Sequence, residues 1–131
     1  MKNFDMKKVL LMFTMIVLTL SSYSQGNFKL KSFDFNYIEN DEITTIKTEV
    51  DMYLNLNTRV LSIYSEETQI FNFYPQRIYK EDKYDILECD ARDQEGVNCL
   101  LRIYTHEKEN FIIIKADYRN FSYFYTCYMS M

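Results

Sequence analysis

Apolar and polar residues alternate with a period of two along most of the chain from Phe28 onward, the pattern of strands with one face in a core and one in water. FKLKSFDFNYI (28–38) sets Phe33, Phe35 and Tyr37 against Ser32, Asp34 and Asn36, and runs into the acidic turn ENDE. In IKTEVDMYLNL (46–56), Ile46, Val50, Met52, Leu54 and Leu56 share one side, and Lys47, Glu49, Asp51 and Asn55 the other. That is the clearest half-buried strand in the chain. VLSIYS (60–65) and TQIFNFY (68–74) follow at hairpin spacing. Pro75 is expected to close the second of these, because it has no amide hydrogen for a ladder bond. QRIYKEDK (76–83) then reads as a polar loop or a short edge piece. YDILECDA (84–91), VNCLLRIYT (97–105), NFIIIKADY (110–118) and FSYFYTCYM (121–129) read as an antiparallel meander.

The pattern predicts an all-β fold, a small antiparallel meander of seven or eight strands at roughly ten-residue spacing, closed as a sandwich or an up-and-down barrel. An α+β fold with one short helix near residues 76–83 is the second architecture. FIIIKA and FSYFYTCY are apolar on both faces, which places them centrally or under a double cover.

The first residues follow a different pattern. Lys7 and Lys8 precede a twelve-residue apolar run, Val9 to Leu20, and the small and polar exit SSYSQG. This order predicts a secretory signal peptide over residues 1–24, cut near Ser24, and a single β domain over 25–131. The run is too short for a membrane span, which needs about 20 residues, so stable membrane insertion is not expected. The expected location is periplasmic or extracellular.

Charge narrows the partners. The full chain carries 15 basic and 19 acidic residues; without residues 1–24 these fall to 12 and 18, for a net charge near −6. An acidic protein opposes nucleic acid, whose binding rests on neutralising phosphates with Lys and Arg.

An exported chain with three cysteines can hold one disulfide, and Cys89 with Cys99 closes the shortest loop. Such a bridge would stabilise by somewhat under ~3 kcal/mol. The turn between them bears on its geometry. Asp93-Gln94-Glu95-Gly96 has Asp first and Gly fourth, as in a type I turn followed by a left-handed glycine bulge. In that register Asp93 faces Val97, Ala91 faces Cys99 and Cys89 faces Leu101, which leaves the cysteines diagonal at about 7–8 Å. A disulfide needs Cβ atoms about 3.5–4.5 Å apart, so the bridge requires a one-residue change in pairing. A bridge, a reduced pair and a bond to Cys127 all remain open.

Other chemistry has little support. Cys89, Cys99, Cys127 and His106 lack the close ligand pairs of a zinc site, and the acidic clusters lack the glycine-containing loop of a calcium site. No metal or cofactor is expected, and no catalytic constellation is visible. The most distinctive composition is aromatic: Phe121, Tyr123 and Tyr125 alternate onto one face, with Phe124 and Tyr128 on the other. The first three form a candidate contact surface if that face is open, and core packing if it is closed.

IYSEETQIF, ILECDARDQEGVNCLLRIY and FIIIKADYRNFSYFY together resemble a pattern in short exported β-rich proteins of Gram-negative bacteria and their phages. The likeness spans roughly residues 60–126 and implies no activity, and no site residue carries over from it. The expected function is a non-enzymatic binding protein for a protein or envelope component, acting through a strand edge or the tyrosine-rich face. The alternative is a carrier with an apolar small molecule inside a barrel.

Overall fold

A computed structural model describes residues 27–106 and 108–129; the expected signal peptide over 1–24 lies outside them. Eight strands follow one another: β1 (Asn27–Glu39), β2 (Glu42–Asn55), β3 (Val60–Tyr64), β4 (Thr68–Glu81), β5 (Tyr84–Asp93), β6 (Asn98–His106), β7 (Phe111–Asp117) and β8 (Phe121–Met129). Each pairs antiparallel with the next, and β1 pairs with β8, which closes the sheet into a barrel.

Alternation supplies the core. Leu30, Met52, Leu54, Leu61, Leu101 and Ile103 point inward and keep no accessible surface, so no water-sized void touches them. Outward neighbours such as Lys29, Lys31, Asp51, Asp90 and Arg92 are exposed.

Two departures from the sequence pattern have local causes. A bulge between Ser32 and Asp34 shifts the phase of β1. Ser32 is therefore fully buried, whereas Phe33 stacks at 4.8 Å on Tyr128, an outward and half-exposed ring. Pro75 does not end its strand. β4 continues to Glu81, with a bulge between Pro75 and Arg77, so residues 76–81 are strand and not the loop or helix considered above. The proline is tolerated because β3 pairs only as far as Asn72, with one further bond from the Phe73 amide to Arg59 O at 2.9 Å, and beyond Phe73 β4 has a strand neighbour on one side only among the described residues.

Turn chemistry fixes the hairpins. Asn40 and Asp41 both take left-handed conformations (φ 54 and 64), as a tight two-residue hairpin turn requires. Between β5 and β6, the Gly96 amide donates to Asp93 O at 3.0 Å, and Gly96 sits at φ 82. Asp93 Oδ1 accepts from the amides of Glu95 and Val97, each at 2.9 Å. Cys89 therefore faces Leu101, and Cys99 faces Ala91, in the register the turn predicts.

Strand lengths are unequal, and this shapes one end of the barrel. β3 has five residues and pairs with Asp51–Asn55 of β2. The nine residues before Asp51 reach past β3 and pair with β1 alone among the described residues.

Candidate binding site

The unequal strands leave a recess at the end of the barrel that carries the β1–β2 and β3–β4 turns. It holds about 410 Å³ and is open to solvent. Its wall on one side is β2 (Ile46, Thr48, Glu49, Val50); on the other are Tyr64, Ser65, Glu66 and Gln69, with Phe35 and Tyr125 between. Hydrophobic contact is available from the aliphatic and aromatic groups, and the carboxylates of Glu49 and Glu66 supply negative charge.

Aromatic rings pack behind this recess. Phe35 lies 5.0 Å from Tyr125 and 5.6 Å from Tyr123, and Phe121 stacks on Tyr118 at 4.8 Å and on Tyr37 at 5.6 Å. Phe121, Tyr123 and Tyr125 share a face, and that face looks into the barrel. Tyr125 is buried and the other two are half-buried at the barrel mouth.

Gln69 organises the hydroxyls here. Its amide nitrogen donates to Tyr125 Oη and to Ser65 Oγ, each at 3.1 Å, and its oxygen accepts from Tyr123 Oη at 2.6 Å. Burial raises the pKa of both phenols above the ordinary tyrosine value, so they are neutral near pH 7. Further along the rim the Tyr118 hydroxyl donates to Asp93 Oδ2 at 2.8 Å, and burial together with that carboxylate pushes the Tyr118 phenol up as well. The arrangement offers fixed hydrogen-bonding groups and ring faces.

Cys89, Cys99 and Cys127 lie on β5, β6 and β8. All three are free, and the bridge considered for Cys89 and Cys99 is not made, because the Asp93–Val97 turn sets the two a diagonal step apart. Burial raises the Cys89 thiol far above its usual range, and burial pushes Cys127 up to about 12. Half-buried Cys99 rises to about 11, again chiefly through burial. Alkylation of the folded protein near about pH 8 is therefore expected to spare Cys89 and Cys127 and to label Cys99 slowly, with all three reacting in denaturant. Intact mass before and after unfolding checks this; a bridge present before unfolding would contradict it.

His106 has a structural role in its turn. Its Nδ1 accepts the amides of Lys108 and Glu109, each at 3.1 Å, and its ring lies edge-on to Tyr84. Among the described residues no three His, Cys, Asp or Glu side chains come together as metal ligands.

Sequence reasoning found Ile46 on the apolar side of its strand but read Glu42 as turn and left Ile43 to Thr45 unassigned. These residues belong to β2, and Ile43 and Ile46 are 65% and 51% exposed. Exposed isoleucines on a strand with one free edge mark a surface, and only the length of β3 discloses that the edge is free. Gln69 was likewise missed; a polar residue in phase with Phe71 and Phe73 on the inward face was the available signal. No known protein family, curated protein or solved structure matches the chain.

Proposed function

We propose that this is an exported, non-enzymatic binding protein that takes up an extended segment of a partner protein along the free edge of β2. The observation that carries the reading is the stretch Glu42–Val50, paired among the described residues with β1 on one side only and carrying two exposed isoleucines beside an open recess. An unpaired edge presents a row of backbone donors and acceptors that an incoming strand satisfies, while alternate side chains find pockets.

The contrast with the other free edge supports this. Beyond Asn72, β4 carries Pro75, whose missing amide hydrogen keeps that edge from completing a ladder. The β2 stretch has no proline and opens with Ile43, Thr44, Thr45 and Ile46; Lys47 and the bulge opposite Phe33 fall further along it.

The carrier reading has weaker support. The residues that would line an internal ligand cavity, such as Met52, Leu61 and Leu101, have no accessible surface. The outward charges are also the reverse of the apolar outer band of a membrane-spanning barrel, which favours a partner met in water.

Titrating the isotope-labelled protein with a displayed set of extended peptides tests the proposal. Binders should shift the backbone amides of residues 42–50 and slow their hydrogen exchange. Binding that leaves those amides unchanged and perturbs another surface would overturn it.

A further inference from the structure

The free edge and the recess share one strand, and the charge around them is predominantly negative. Ile46, Thr48, Glu49 and Val50 line the recess from β2 itself. A strand laid along β2 therefore places alternate side chains over the opening, since neighbours on a strand point to opposite faces. Around it stand Glu39, Asp41 and Glu42 at the β1–β2 turn, Glu49 on the wall, and Glu66 and Glu67 at the β3–β4 turn. Lys47 is the one basic residue within these two turns and the β2 stretch. Among the described residues, Glu49 is the only one of these acids in an ion pair, an exposed contact of 3.6 Å with Lys31.

Resting on the edge-binding reading, we propose that the partner segment is basic: it pairs with β2 and seats a Lys or Arg side chain in the recess between Glu49 and Glu66. The recess suits such a side chain in both its parts. Ile46 and Val50 accept the apolar stem, while the rings of Phe35, Tyr64 and Tyr125 and the Glu66 carboxylate receive the cation, with Glu49 shared between it and Lys31. Its volume falls within the range of about 300–1,000 Å³ typical of sites that take a compact group.

A second copy of the chain is a poorer occupant. Edge-to-edge pairing of two β2 strands would bring two sets of the same six carboxylates together, and like charges across an interface oppose association. The acids that repel a second copy attract a basic strand.

The test uses three peptides of about ten residues with the same Thr/Val alternation and either Lys, Gln or Glu at every second position. Fluorescence anisotropy gives the affinity, and amide shifts in labelled protein give the location. The Lys peptide should bind about tenfold or more tightly than the Gln peptide, and its advantage should shrink between about 50 and 500 mM salt. The double variant Glu49→Lys with Glu66→Lys should abolish that advantage, and Glu49→Gln with Glu66→Gln should reduce it; both sites are exposed, so an unchanged melting temperature is expected. Equal binding of Lys and Gln peptides at the β2 amides would overturn the basic partner and leave the edge reading standing. Lys-peptide binding that ignores the charge reversal would overturn the seat in the recess. Failure of every peptide to shift residues 42–50 would overturn both readings, and a concentration-dependent dimer with shifts at those amides would replace the basic partner with a second copy.

Discussion

Truncating Phe73 to alanine is expected to cost about 3–5 kcal/mol of folding stability. The ring has no accessible surface, lies on the inward face of β4 and sits opposite Ala91 across the β4–β5 pair. Its cross-strand neighbour Ala91 is small, as is Cys99 beyond it, so the ring supplies much of the volume on this side of the core. Its removal leaves a cavity unless the rest of the cluster moves in. Domains of this size carry about 5–15 kcal/mol in all, so the variant should lose a large share of its stability or fail to fold. Phe73→Leu, which keeps most of the volume, should cost clearly less. Urea unfolding of both variants measures this; a loss under about 1 kcal/mol for the alanine variant would mean that the interior collapses around the gap.

The second large effect belongs to Asp93. Its carboxylate accepts the Glu95 and Val97 amides and the Tyr118 hydroxyl, tying the β5–β6 turn to the start of the β7–β8 connection. Partial burial alone would raise its pKa, but the bonds from Val97, Tyr118 and Glu95 outweigh this and hold it below the ordinary aspartate value. Asp93→Ala should therefore cost about 1–2 kcal/mol near neutral pH, toward the low end for hydrogen bonds to a charged group because the turn is open to water. The sign of the pH dependence follows from the lowered folded-state pKa. The contribution is fully present above the unfolded aspartate value of about 3.9 and is lost as pH falls through the folded one. Wild type and variant should converge in stability in strong acid, as thermal melts between neutral and acidic pH would show. A gap that stays constant into strong acid would assign the effect to packing.

The β5–β6 turn and the register it favours were legible in the sequence because their determinants are local, although whether Cys89 and Cys99 bridge was left open. Asp93 and Gly96 fix the turn, the turn fixes the register, and the register decides that Cys89 meets Leu101. The strands from Tyr84 to Met129 were legible for the same reason: each has its own alternation and each turn its own polar residues. A closed barrel was one of the two architectures the pattern allowed, but the choice between it and a sandwich was not legible. The pairing of β1 with β8 joins residues about ninety positions apart, and nothing in either strand's alternation names its partner. Ser32 and Phe33 were assigned to the wrong faces because a bulge is a property of a pair of strands and leaves no mark in one of them. Pro75 misled for a related reason, since its cost depends on whether a neighbouring strand is there to ask for its missing hydrogen. The candidate site suffered most from this gap. That β2 outruns β3 is a relation between two strands, and the exposure of Ile43 and Ile46 follows from it.

The seam between β1 and β8 also sets a timetable for the chain. Every other pairing joins neighbours along the sequence and can form as soon as its hairpin exists. The seam needs Phe121–Met129, the eighth strand in chain order, to find the first. Until then β1 has an unsatisfied side and the core is open along one line, so the cooperative gain of closure is withheld. A chain lacking β8 would be a sheet with two raw margins, prone to pair with its own kind. A barrel whose last strand is its keystone stays pliable while it is being made and becomes durable only when it is complete.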